Sequence, residues 1–230
     1  MTVTPGRNQD MASRLGINWR FTSRADGDLS IAGDADQLAQ RRSAIVEEPW
    51  CWLHQVHSAT VLRAAQPSDA CGQDGDALVS DRAGLVLAVH GADCAPVLFW
   101  GDNGSIGAAH AGWRGLTGGV LEAVVEELRA GGAREIGAVL GPCIHSECYE
   151  FGPLELQLAV ERLGPQVAGL ASNGRPALDL VAGVTTALAG VGVALDSSPS
   201  RCTACHEDLY SWRARRDVGR LAGLIWRDRP

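Results

Sequence analysis

Three residues in the first half of the chain can act together chemically: His57 in "WLHQVHS", Cys94 in "GADCAPVLF" and His110 in "AAHAGWRG". Each ends or borders a run that reads as a strand, beside a glycine or turn residue, where a scaffold presents reactive groups. Two imidazoles and a thiolate make three nitrogen and sulfur ligands. Three protein ligands leave a fourth position on zinc open, the pattern of a catalytic site, whereas structural sites are closed by four. The metal would also deprotonate the thiol. Two plainer readings stand beside this one. A buried cysteine is often a small hydrophobe and a strand-end histidine a merely hydrogen-bonded one. Cys94 as nucleophile with His110 as base would make a metal-free cysteine hydrolase, but that leaves His57 without a role.

A second expectation is an anion site in "WRGLTGGV", where the chain passes from the His110 strand into a helix expected to start at Thr117. Backbone N–H groups at a helix start attract anions, and glycines allow close approach. Arg114 and Gly115 lie there, and a guanidinium grips phosphate with two hydrogen bonds. The alternative is that Arg114 pairs with a structural carboxylate and the glycines only make the turn. Asp93 is placed either to orient a ligand histidine or to cap a turn. Tyr149 and Glu150 are candidates for a pocket wall.

The remaining ligand-type residues form two short clusters. "RCTACHEDL" holds Cys202, Cys205 and His206 in the spacing of a covalent haem site; "CIHSEC" holds Cys143, His145 and Cys148. No haem is expected, because such haem is attached outside the cytoplasm and no export signal is read here. The favoured reading is bland surface thiols, and a second, structural zinc drawn from both clusters is the less favoured one.

The elements that must position these residues follow from hydrophobic period. "INWRFTSR", "WCWLHQVHSATVLRA", "DALVSD", "GLVLAVH", "APVLFW" and "SIGAAHA" read as strands separated by glycine- and aspartate-rich turns. In "TGGVLEAVVEELRAGG", Val120, Val124 and Leu128 share a face with Leu121 and Val125, the pattern of an amphipathic helix stopped by glycines. "EIGAVLG" reads as a buried strand, "PLELQLAVERLG" and "ALDLVAGVTTALAGVG" as helices, and the tail as ending in a strand. Early strands with later helices predict an α+β fold, a mixed sheet packed with helices, in a single domain over 21–230 after a flexible N-terminus, 1–20.

The 230 residues suit one large domain, and 46% hydrophobic residues are enough to build its core. A net charge of −7 with no basic stripe argues against a nucleic-acid partner. No apolar run reaches the ~20 residues of a membrane span, and the polar start lacks the apolar centre of a signal peptide. A cytoplasmic protein is expected, with no membrane contact and no predicted protein partner. Seven cysteines, an odd number, argue against a disulfide framework and for reactive or metal-binding thiols.

From about Phe21 to about Trp226 the motifs "LHQVHSATV", "DGDALVSD", "GADCAPVLF", "AAHAGWRG", "GPCIHSECYEFG" and "CTACHEDLYSWRARRDVGRLAGLIW" follow one another in an order that resembles the YfiH-like family. That family is also called the multicopper polyphenol oxidase (laccase) or peptidoglycan editing factor family. The resemblance implies a YfiH-like fold and a purine nucleoside phosphorylase that also deaminates adenosine. It implies a catalytic zinc on His57, Cys94 and His110, with purine nucleosides (adenosine, inosine, S-methyl-5'-thioadenosine) and phosphate as substrates. Arg24 in "FTSRADGDLS" matches the family's "TTRxGGVS" arginine, a further candidate for substrate binding. Trp113 and Trp212 are candidates to stack on the purine. "IAGDADQLAQRR" departs from the family's "NLGxHVGDD", a segment that walls the pocket. The older names imply two rivals: a copper-dependent oxidase of phenols, for which six histidines are too few to supply a laccase set, and a hydrolase of peptidoglycan-type amides. No "HxE" glutamate of the kind known in zinc deaminases is read at His57 or His110, so no proton donor is assigned.

Overall fold

The computed structural model describes residues 7–67, 69–196 and 200–229. In chain order the elements are α1 (Arg7–Arg14), β1 (Ile17–Phe21), α2 (Ala35–Ile45), β2 (Trp50–Trp52), β3 (Val61–Arg63), β4 (Ala77–Ser80), β5 (Val86–Gly91), β6 (Ala95–Gly101) and β7 (Ile106–Ala111). Then come α3 (Trp113–Thr117), α4 (Val120–Ala130), β8 (Ile136–Leu140), α5 (Pro153–Leu163), β9 (Ala168–Leu170), β10 (Pro176–Leu178), α6 (Leu180–Gly190), β11 (Ala194–Leu195), α7 (Trp212–Arg215) and β12 (Leu221–Arg227).

The expected α+β class is found, but with two main sheets in place of one. One has the order β1-β12-β5-β2, the other β11-β8-β6-β7-β4-β3; both mix parallel and antiparallel pairs. A small hairpin, β9–β10, stands apart from them. Strand alternation explains the layering. In β5, Leu87 and Val89 pack with Leu98, Trp100 and Ala108 of the other sheet, while Val86 and Ala88 pack with Leu38 of α2. In β6 and β7, Val97, Phe99 and Ala109 turn to α4 and α6 and bury Val120, Val124, Leu128 and Val184. The result is four layers: α2, sheet, sheet, and the α3–α6 group.

Three expectations about elements are corrected. In the segment read as a flexible N-terminus, 1–20, residues 1–6 lie outside the described residues, while α1 and the start of β1 occupy the rest, and Ile17 of β1 pairs with Arg227 of β12. The run "WCWLHQVHSATVLRA" is two short strands with a loop between them, because the loop's backbone is claimed by a buried carboxylate described below. The helix expected from Thr117 is two helices, since Gly119 takes a left-handed conformation (φ 90°) between α3 and α4. Arg114 therefore lies inside α3 and not before a helix.

Candidate active site

The two sheets meet where β5 hands over to β6. Cys94 sits at that corner, His110 near the end of the neighbouring β7, opposite Pro96, and His57 in the 53–60 loop between β2 and β3. The Cys94 sulfur lies 3.8 Å from His57 Nε2. The two imidazoles meet edge to face with ring centres 5.0 Å apart. One donor atom from each of the three residues falls within 4.8 Å of the others.

Asp76, fully buried just before β4, organises this group. Its carboxylate accepts the N–H groups of Val56 (3.2 Å), His57 (3.0 Å) and Ser58 (2.6 Å), and the Ser58 hydroxyl (2.9 Å). Three successive N–H groups converging on one anion curl the chain, and His57 takes φ 61° in the left-handed region. The same carboxylate lies 2.9 Å from His110 Nδ1, so it holds the proton there and leaves Nε2 to face the cavity. Burial pushes Asp76 up, but His110 and Ser58 outweigh it and hold the carboxyl at about 2.

Burial likewise pushes the Cys94 thiol up, and the imidazoles of His110 and His57 overcome it, bringing the thiol down to about 6. Burial lowers His110, while Cys94 and Asp76 raise it to about 9. Without metal the pair is thus a thiolate beside an imidazolium. A cation at the same point would take over the imidazolium's role, and the donor set suits zinc: two neutral nitrogens, one sulfur, and a carboxylate behind one imidazole. Gly112 is required by this packing. A Cβ there would lie 2.6 Å from His57 Cδ2 and 3.0 Å from the Cys94 sulfur.

The group lies in the wall of a cavity of about 480 Å³ that also reaches Ser30, Gln55, His90, Trp212 and Arg220. Ile31, the first residue of the segment that departs from the family pattern, also lies in this wall. A larger hollow of about 910 Å³, lined by Glu150, Phe151 and Arg175, holds none of the three. His90 was not singled out from sequence. It is 7% exposed, and both ring nitrogens lack a partner among the described residues. Burial, then the charges of Arg42, His110 and Arg220, push it down to about 3, so it is neutral. Gln55 clamps its backbone, accepting from His90 N and donating to His90 O, each at 2.7 Å. The available signal was a histidine closing an apolar strand four residues before Cys94.

The other expected site residues are placed as follows. Arg24 is engaged by Asp217 and the carbonyl of Leu209 and lies over the Tyr210 ring, outside the cavity lining. Arg114 is exposed, its guanidinium 4.5 Å from the Trp113 ring centre, with no ion pair among the described residues. Gly115 is a packing glycine: a Cβ would meet the Ser58 carbonyl at 2.9 Å. Asp93 does not reach a histidine. Its backbone is left-handed (φ 120°), and its carboxylate accepts from Thr203 (2.7 Å), Ser211 (2.7 Å) and Arg213 N (2.6 Å). It anchors the corner that presents Cys94. Trp212 reaches the cavity, whereas Trp113 packs edge-on against Phe151. Tyr149 is buried against Phe151, and Glu150 pairs with Arg175 on the larger hollow.

Residues 15–228 match the family described as multi-copper polyphenol oxidoreductase laccase. A Streptomyces griseus protein named purine nucleoside phosphorylase ORF3 is 41% identical over 206 residues, 87% of this chain and 83% of its own. The Escherichia coli purine nucleoside phosphorylase YfiH is 37% identical over 179 residues, 76% of this chain and 72% of its own. The crystal structure of Neisseria meningitidis protein NMB0706 superposes with a TM-score of 0.81 at 30% identity, covering 93% of this chain and 95% of that one. Bacillus licheniformis YfiH shares the fold with a TM-score of 0.82 at 23% identity. Match, relatives and fold agree that the chain belongs to the multi-copper polyphenol oxidoreductase laccase family, which includes the YfiH proteins.

Proposed function

We propose that the chain is a zinc-dependent purine nucleoside phosphorylase that also deaminates adenosine. The observation that carries this reading is a three-ligand group, open on one side, in the wall of a cavity that also holds a neutral, unpartnered histidine. The names of the relatives support the substrate class. His57, Cys94 and His110 would hold the metal, which when bound would supply a Lewis-acid charge at its open position.

The chain's own residues do the rest. Asp76 keeps the His110 proton on Nδ1. Neutral His90, which borders the cavity, can offer the purine a donor or an acceptor nitrogen. Trp212 offers a face for the base at the cavity mouth. In phosphorolysis a phosphate oxygen forms a bond to the anomeric carbon while the bond to the purine nitrogen breaks and its electrons leave with the base. Arg220, the arginine in the cavity lining, would hold that phosphate. In deamination water attacks the amino-bearing purine carbon, and the bond to the amino nitrogen breaks as it leaves as ammonia.

The experiment is an assay of inosine with phosphate, and of adenosine alone, on wild type and Cys94→Ala, with bound zinc measured in parallel. Zinc and both activities are expected to disappear together from a folded Cys94→Ala protein. Turnover by metal-free Cys94→Ala would reject the mechanism. Zinc retained with activity lost would favour Cys94 as a nucleophile. The copper-oxidase reading has the family's description behind it, but among the described residues the cavity gathers one three-ligand group, and a multicopper site needs a second, histidine-rich cluster.

A further inference from the structure

A second ligand cluster lies outside the cavity. Cys143 and Cys202 form a parallel β-bridge, in which Cys143 N donates to the Arg201 carbonyl and Thr203 N to the Cys143 carbonyl. This lays residues 201–206 alongside 143–148, whose last three form a single 3-10 turn, Ser146–Cys148. The two clusters read from sequence as surface thiols therefore converge. Cys202 is 2% exposed, not superficial, and Cys143 is fully buried. The Cys148 and Cys205 sulfurs are 3.3 Å apart, and the Cys205 sulfur is 3.9 Å from Glu147 Oε1. Donor atoms of Glu147, Cys148, Cys202 and Cys205 all lie within 4.8 Å of one another.

We propose that Glu147, Cys148, Cys202 and Cys205 bind a second zinc ion, closed by four protein ligands. Zn–S bonds of about 2.3 Å in a tetrahedron put neighbouring sulfurs about 3.8 Å apart, and a carboxylate oxygen somewhat closer. The observed separations bracket those values. Cys202 and Cys205 have the C-x2-C spacing of paired zinc ligands. The Cys202 sulfur accepts the His145 N–H at 3.5 Å, the kind of outer bond that settles a metal thiolate. Three sulfurs and a carboxylate have no Lys or Arg ion pair among the described residues; the partner of Glu147 is His145 at 3.7 Å. A Cys148–Cys205 disulfide is the rival arrangement, and it leaves Cys202 and Glu147 unexplained.

Four ligands leave no open position, so this ion is structural. It ties 201–206 to 143–148. Thr203, between the two ligand cysteines, donates to Asp93, which shapes the corner presenting Cys94. The second ion thus stiffens the support of the first without touching substrate.

The test is zinc stoichiometry in the full chain, purified with reductant, loaded with zinc and dialysed. Wild type is expected to hold two ions, Cys205→Ser one, Cys94→Ala one and the double variant none. Cobalt substitution checks the assignment: Cys94→Ala, with three thiolates left, should show a far stronger thiolate-to-cobalt charge-transfer band than Cys205→Ser, with one. Glu147→Gln, at an exposed position, gives an independent route should Cys205→Ser fold poorly; it should weaken retention of one ion. A single ion in wild type that Cys94→Ala removes would overturn the proposal. So would two ions indifferent to Cys205→Ser and Glu147→Gln, or a Cys148–Cys205 disulfide under reductant. One ion kept by Cys94→Ala supports this site whatever becomes of the first.

Discussion

The chain gathers cysteine with other ligand residues twice, on opposite kinds of scaffold. His57, Cys94 and His110 stand where two sheets meet, and a buried carboxylate fixes two of them. Glu147, Cys148, Cys202 and Cys205 stand on two loop segments held by one β-bridge. The first group has three donors beside a cavity. The second has four, which leave no ligand position open, and two of them, Glu147 and Cys148, border the larger hollow. Openness, not ligand chemistry alone, separates a place for reaction from a place for a clip.

The largest expected effect that would break this contrast is at Gly112. The added methyl of Gly112→Ala collides with His57 and Cys94, so zinc at the first centre and all turnover should fall to background. The Cys148 cluster should keep its ion, as metal analysis would show. Loss of both ions would mean that the two regions are not independent.

Arg220→Ala should come next. Removing one charged hydrogen-bonding partner costs about 1.5–3 kcal/mol, or roughly 10- to 150-fold. The loss should fall on the phosphate dependence of inosine cleavage and spare adenosine deamination, which uses no phosphate. Arg114→Ala, outside the cavity lining, should lose less; the reverse order would restore Arg114 as the phosphate ligand. Equal losses in both reactions would make Arg220 structural, consistent with its bonds to the carbonyls of Asp217, Val218 and Gly219.

Asp76→Asn sharpens the contrast from the other side. Losing the carboxylate behind a ligand histidine should weaken zinc at the first centre by about 10- to 100-fold and leave the second unchanged. Competitive chelator titration would measure it.

The smallest effect is a difference in pH slope. Metal displaces protons from its ligands. With Cys94 down at about 6, its proton is largely gone near neutrality, and zinc at the first centre displaces the proton that His110, up at about 9, still holds. Cys148 is up at about 12 and Cys205 is raised, so the second displaces at least two. Each displaced proton costs about tenfold in affinity per unit fall in pH. Between pH 8 and 6.5, zinc should therefore leave the Cys148 cluster more steeply than the Cys94 centre. Parallel slopes would argue against the second site.

Much of this was readable before any coordinates. Alternating and 3.6-period hydrophobicity located most strands and the long helices, because burial on one face is a local property of the chain. The His57–Cys94–His110 group was legible from residue type and strand ends, and the family resemblance assigned it to zinc. What needed the folded chain was whatever depends on contacts distant in sequence. Asp76 lay in plain view in "DGDALVSD", but its three bonds to residues 56–58 and its hold on His110 arise when β4 pairs with β7 beside the His57 loop. Arg24 and Asp93 read as site residues, and their partners Asp217, Thr203 and Ser211 lie over a hundred positions away. Cys148 and Cys205, 57 residues apart, meet through one β-bridge that no local pattern encodes. Periodicity reports which face a residue turns to the core; a ligand set or a charged partner depends on which segments that core brings together.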